Sequence, residues 1–141
     1  PNIKYLILKQ GLNMSNSGEL LIKMDLFGIG TAKGKIIRYL APLTSDAIID
    51  RLPITLRGRF SFGKKAYWTL PGIEIYQGTN QKSLKEAKKG DIVYNPKTDE
   101  LIFTLEDYYY PNKVNKVGEI SENIDIFLGA KNGLNTKISK L

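Results

Sequence analysis

From Glu19 to Ile138 the chain breaks into short runs of alternating apolar residues, punctuated by glycine, proline and asparagine, and only one run carries the marks of a helix. Strands this short cannot each bury a broad face, so a stable core requires many of them in one sheet. Glu19–Leu26 is the clearest run: Leu20, Ile22 and Met24 alternate with Glu19, Leu21, Lys23 and Asp25. Glycines 28, 30 and 34 read as turn punctuation before a second strand at Lys35–Leu40. Ile54–Phe60 and Lys65–Leu70 flank Ser61-Phe62-Gly63-Lys64, a hairpin with glycine in its turn. In its first arm Ile54, Leu56 and Phe60 share a face with Gly58, and Thr55, Arg57 and Arg59 take the other. Asp91–Tyr94 and Leu101–Leu105 form a second hairpin across Asn95-Pro96-Lys97-Thr98-Asp99, where proline supplies the turn. Ile73–Gln77, Val117–Ile120, Ile124–Leu128 and Leu134–Ile138 complete the strands, and the charged stretch Lys82–Lys89 reads as a single helical turn.

The helix runs through Leu43–Arg51. Thr44 serves as N-cap, Asp46 lies at the positive end of the helix, and Leu43 and Ile48 are spaced as a hydrophobic staple. Arg51 falls in the last turn and Pro53 stops the helix. Many short strands with one or two small helices predict a mainly β fold, a closed eight-stranded barrel rather than a sandwich with long edges. The 141 residues suit one domain, placed at 18–141. Residues 1–17 read as an N-terminal tail, with Ile3–Leu8 an extra strand if ordered; Met14 would make residues 1–13 a leader ahead of a later start.

Histidine and cysteine are both absent. That removes the Ser-His-Asp triad, the thiolate nucleophile and the Cys/His zinc site. It also removes disulfides, so the expected location is cytoplasmic. No apolar stretch approaches the roughly 18–20 residues that a membrane span needs. The formal charge of +7 comes mostly from lysine, with only Arg38, Arg51, Arg57 and Arg59 as arginines. Lysine suits a solvated surface, whereas recognition of phosphates and bases leans on the planar guanidinium. Solubility is thus the better account of the charge than a nucleic-acid partner, and no cofactor is implied.

Phe27-Gly28-Ile29-Gly30-Thr31-Ala32-Lys33-Gly34-Lys35 invites comparison with a phosphate loop. The glycine spacing is wrong, Ile36 stands where a metal-binding hydroxyl is needed, and a strand rather than a helix follows. Tyr108-Tyr109-Tyr110-Pro111-Asn112 either stacks bases or, more simply, pins a long loop onto the barrel. Lys82, Lys85, Lys88 and Lys89 read as a solvated face. The adjacent acids Asp99-Glu100 and Glu106-Asp107 point to opposite faces of a strand and read as solvated groups near turns. Arg57, Arg59 and Tyr67 are more informative, because hairpin pairing puts all three on the non-core face. Together with Tyr94 they make a candidate ligand-binding site for an anion or a peptide carbonyl. The simpler alternative is arginines snorkelling over barrel side chains.

The order of four segments carries a resemblance. Arg38-Tyr39-Leu40-Ala41-Pro42-Leu43-Thr44, the helix ending Leu52-Pro53, Gly90-Asp91-Ile92-Val93-Tyr94-Asn95-Pro96 and Asn115-Lys116-Val117-Gly118 follow one another as in an uncharacterised family of small archaeal and bacterial cyclophilin-like proteins. The chain resembles that family from about Leu20 to Ile138. The resemblance implies an eight-stranded barrel of cyclophilin-like topology. Prolyl isomerases of that fold use an arginine on the outer sheet, a Phe-x-x-Gln segment and a histidine or tryptophan in the proline pocket. This chain has neither histidine nor Phe-x-x-Gln, and only Arg57 or Arg59 stands near the arginine's place. The expected function is therefore a non-catalytic module that binds a small ligand or a peptide segment. The alternatives are an atypical prolyl isomerase, which would need only to stabilise a twisted amide, and a nucleic-acid-binding barrel.

Overall fold

The alternation in Glu19–Leu26 is realised as strand β1, with Leu20, Ile22, Met24 and Leu26 all buried. The structure, a computed structural model, describes residues 18–141; the strand expected at Ile3–Leu8 lies outside the described residues. After β1 come β2 (Gly30–Ile37), a 3-10 turn (Arg38–Leu40) and α1 (Pro42–Arg51). The strands β3 (Ile54–Arg57), β4 (Arg59–Phe60), β5 (Tyr67–Pro71), β6 (Leu84–Ala87) and β7 (Asp91–Asn95) follow. The chain ends with β8 (Glu100–Thr104), β9 (Tyr108–Glu122), a 3-10 segment (Ile124–Gly129) and β10 (Asn135–Lys140).

Every strand pairing is antiparallel, and the main sheet runs β3-β10-β1-β2-β9-β7-β8-β5-β4, with β6 added to β9. The fold is mainly β as expected, but among the described residues the hydrogen-bonded ladder does not close, so the closed eight-stranded barrel is corrected to an open path. Its two ends, β3 and β4, are consecutive in the chain with only Gly58 between them. The break between them falls at Gly58, which lies so close to the Trp68 indole that no Cβ fits there. Gly58 turns its N–H to the Leu134 carbonyl (2.9 Å) and accepts the Gly133 N–H (2.7 Å), leaving β3 paired with β10 and β4 with β5.

The inner face of the sheet carries the main core, including Ile22, Ile36, Trp68, Phe103 and Ile138, with Ile48 of α1 and Phe127 packed into it. The Trp68 indole N–H donates to Thr136 Oγ1 (3.1 Å), which satisfies the one polar atom of that side chain. A smaller second core forms on the outer face. There β6 and the first half of β9 fold back over β7 and β8, burying Ala87, Val93, Ile102, Tyr110 and Val114.

Several local expectations change. Gly34 is not a turn residue: it lies inside β2, where a Cβ would sit 2.5 Å from the Glu119 carbonyl oxygen, so glycine permits close approach of β9. Lys35–Leu40 is strand only to Ile37 and then tightens into the 3-10 turn. The helix begins earlier than expected, with Ala41 as N-cap and Pro42 in its first turn, so Thr44 is a buried helical residue rather than the cap. Leu43 is 79% exposed and makes no staple. Residues 73–77 and 124–128 are not strands, because their apolar side chains cap the core from an irregular loop and a 3-10 segment. Lys82–Lys89 is not helical; its centre is β6, paired to β9. Tyr108–Pro111 is part of β9, not a loop.

Candidate ligand-binding cleft

The outer-face residues come first. Arg59 is opposite Thr69, so Arg59, Thr69 and Tyr67 share the outer face as the hairpin pairing requires. Their chemistry, however, is already satisfied from within. Glu100 is largely buried and accepts from Arg59 (3.2 Å) and from the Thr69 hydroxyl (2.7 Å). Tyr67 packs its ring against Tyr108 and Tyr110, with centroids 5.3 Å away in both cases. Burial, the neighbouring Tyr108 and Glu100 push the Tyr67 phenol up from its ordinary range. Arg57 is exposed and lies opposite Asn135 on β10. Tyr94 is not part of this group: it is fully buried in the main core on the inner face. The structure thus brings Arg59 and Tyr67 onto one face and holds Tyr94 apart from them.

Tyr94 serves a different place. Its hydroxyl donates to Asp99 Oδ1 (2.5 Å) and accepts the Gln77 N–H (3.1 Å). Asp99, at the end of the β7–β8 turn, also gathers the N–H groups of Glu74 (2.7 Å), Ile75 (3.2 Å) and Tyr76 (2.8 Å). Two of those residues, Glu74 (φ 58°) and Tyr76 (φ 48°), lie in the left-handed region, which a bulky side chain such as tyrosine enters only when its surroundings compel it. Partial burial works to raise the Asp99 carboxyl. The Tyr94 hydroxyl and the three backbone donors outweigh it and hold that carboxyl below the usual carboxylate range. Burial first, and then the bond to Asp99, push the Tyr94 phenol up. Asp99 is therefore an anchor rather than a solvated turn residue.

A second anchor grips the far end of the same loop. Asn115, fully buried in the middle of β9, donates to the Gly78 carbonyl (2.9 Å) and to Thr44 Oγ1 (3.1 Å). Its Oδ1 accepts the Asn80 N–H (3.1 Å), and Asn80 in turn donates to the Leu40 carbonyl (2.8 Å). Arg51 closes the frame from the end of α1, donating to the Ile73 carbonyl (3.1 Å). One irregular loop is thus tied to the start of α1, to its end, to β9 and to the β7–β8 turn.

Between this loop and the start of α1 lies an open cleft of about 310 Å³, lined by residues 39–44 and 77–82. Its rim presents the exposed Tyr39 and Leu43, and the Lys82 ammonium stands 5.9 Å from the Tyr39 ring centroid. Tyr94 and Asn115 do not line the cleft but hold its loop wall, through the backbone of Gln77 and of Gly78 and Asn80. Sequence reasoning found Tyr94 but assigned it to the outer face, read Asp99 and Lys82 as solvated groups, gave Asn115 no role at a site, and did not single out Asn80. The available signal at Asn115 was slight, an asparagine set between valines and lysines just ahead of the strand expected at Val117–Ile120. Among the described residues no group of three or more acidic side chains gathers where it could hold a metal ion.

No protein-family model matches the chain, and no curated protein does. Solved structures of similar fold include the following two. The hypothetical protein AF2241 from Archaeoglobus fulgidus superposes with a TM-score of 0.68 at 16% identity, over 87% of this chain and 95% of that one. McbB, solved in complex with tryptophan, superposes with a TM-score of 0.71 at 12% identity, over 84% of this chain. This chain spans only 44% of the McbB chain. At these identities the likeness establishes a shared fold. No helix among the described residues is long and apolar enough to cross a membrane.

Proposed function

We propose that this chain is a non-catalytic, cyclophilin-like binding module that holds a small ligand in the cleft between the start of α1 and residues 77–82. One observation carries the reading. Two buried polar side chains, Tyr94 and Asn115, together with the carboxylate of Asp99, serve one irregular loop that contains two left-handed non-glycine residues. A loop that merely connected β5 to β6 would need none of this. Strain of order 1–3 kcal/mol per residue persists where surroundings over-determine it, and such sites cluster at ligand clamps. The outer face is the weaker candidate, because Glu100 neutralises Arg59, and Tyr108 and Tyr110 cover Tyr67.

The cleft is at the small end of ligand sites, which run from roughly 300 to 1,000 Å³. That favours a single compact molecule, or one side chain of a peptide, over an extended peptide or an oligonucleotide. The fold's likeness to a protein solved with tryptophan supplies a first probe. In a two-dimensional ¹H–¹⁵N NMR titration, L-tryptophan and other small aromatic compounds are expected to shift the amides of Tyr39, Leu43 and Gly78–Lys82. Shifts centred on Arg57, Arg59 and Tyr67 would return the site to the outer face, and a spectrum unmoved by the whole panel would remove the cleft as a binding site.

A further inference from the structure

We infer that the cleft selects a small apolar or aromatic molecule bearing a single carboxylate, with Lys82 as the residue that recognises the charge. The inference rests on the cleft being the binding site. Its argument is the charge of the lining. Among the twelve residues that line the cleft, Lys82 is the one that carries a formal charge, and no aspartate or glutamate faces it. On α1, Asp46 is already held by Arg38 through two bonds of 2.7 and 3.1 Å, so that pair contributes little net field. Lys82 itself makes no ion pair among the described residues; its ammonium rests near the face of Tyr39, a contact that leaves its hydrogen-bonding capacity open to a ligand.

The remaining lining sets the rest of the ligand. Tyr39, Leu40, Pro42 and Leu43 give one wall an apolar and aromatic surface, and Tyr39 and Leu43 offer it to solvent. The opposite wall is made of Gln77–Gln81, neutral and polar. A molecule with a ring on the first wall and an anionic head at Lys82 is complementary to both. One lysine without arginine suits a singly charged head. A phosphate, with its greater charge and three acceptor oxygens, is characteristically met by several cations or a bidentate guanidinium. The volume of about 310 Å³ agrees with one ring and a short acidic arm.

The test uses three probes of one shape: phenylacetate, phenylacetamide and 2-phenylethylammonium, titrated into the ¹⁵N-labelled full chain at low salt. The expected order is acid over amide over amine, with the acid favoured over the amide about fivefold, the reach of one partly exposed charge pair. Lys82→Gln should bring acid and amide level, and Lys82→Glu should place the amine first. Added salt should narrow the acid's advantage in the unaltered protein. Equal binding of all three at the cleft, or an acid preference that survives Lys82→Gln, would overturn the inference and leave the cleft standing. Absence of any shift along residues 39–44 and 77–82 would overturn both.

Discussion

The Tyr94 hydroxyl and the Asp99 carboxylate, five residues apart across the β7–β8 turn, meet at 2.5 Å, and the same two groups hold four consecutive backbone N–H groups, those of Glu74, Ile75, Tyr76 and Gln77. Tyr94→Phe keeps the ring and deletes the link. It should cost about 1–2 kcal/mol, because the Gln77 N–H loses its acceptor and Asp99 a donor. Asp99→Ala removes the acceptor for three N–H groups and should cost more, about 2–3 kcal/mol. Urea unfolding followed by fluorescence of Trp68, the chain's one tryptophan and a fully buried one, measures both.

Asp99 also makes stability depend on acidity. Its carboxyl is held below the usual carboxylate range in the folded chain, so on acidification the unfolded chain takes up the proton first. The contribution is complete above the unfolded value, about 3.9, and is lost as pH falls through the lower folded value. Glu119 adds to the same slope, its carboxyl lowered chiefly by the bond from Lys116. Urea midpoints taken from pH 6 downward should therefore decline below about pH 4. Asp99→Asn should flatten that decline as well as lower the starting stability; an unchanged slope would show that the carboxylate is not what anchors the loop.

Asn115 is the residue whose loss should separate binding from folding least cleanly, so a pair of variants is informative. Asn115→Ala leaves the Asn80 N–H, the Gly78 carbonyl and Thr44 Oγ1 without a partner, and should cost about 2–3 kcal/mol. Asn80→Ala breaks only the side-chain bond to Leu40 and should cost about 1 kcal/mol. Both should shift the amides of the cleft, and Asn80→Ala should weaken binding of phenylacetate while the Trp68 emission of the folded protein stays as it was.

Arg57→Ala and Arg59→Ala should leave cleft binding unchanged. Arg59→Ala loses the pair with Glu100, worth about 1 kcal/mol with the guanidinium half exposed and the Thr69 hydroxyl still bonded to Glu100, and Arg57→Ala should cost less still. Neither arginine should support proline cis/trans exchange in a small peptide, a process slow enough on its own, at tens of seconds, for acceleration to be plain. Exchange that speeds up with the native protein and not with Arg57→Ala or Arg59→Ala would displace the binding reading in favour of an isomerase.

Gly34 of β2 lies opposite Ile120 and Gly118 of β9 opposite Ile36, and a Cβ on either glycine would meet backbone of the other strand, at Glu119 and at Lys35. Backbone cannot step aside as a side chain tip can. Gly34→Ala and Gly118→Ala should each cost about 1–3 kcal/mol or unfold the protein outright. Gly28→Ala, by contrast, enters open space and suffers only its φ of 78°, about 1–2 kcal/mol.

Much of the architecture could be read from residue order. β1 has the bounds that its alternation demanded, and the Asp91–Leu105 hairpin turns where Pro96 required. The faces of Ile54–Phe60 alternate as written, because a period of two is a local property of extended backbone. Errors fell where a residue's role depends on what approaches from far along the chain. Gly34 looks like any turn glycine until β9 crosses it. The alternating tyrosines 108–110 look like a loop until β6 lies beside them.

The candidate site shows the same division more sharply. The residue types that rule out thiol, triad and Cys/His zinc chemistry are absent from the chain as such, and no fold can supply them. Which polar residues act together was a matter of distance in space. Thr44, Asn80 and Asn115 become one hydrogen-bonded unit because the sheet carries β9 past the start of α1. Tyr94 changed faces because side-chain direction along β7 is set by its register with β8 and β9, not by its own identity. Composition and periodicity act through near neighbours and survive any packing, whereas a cleft exists only where elements distant in sequence stop short of touching.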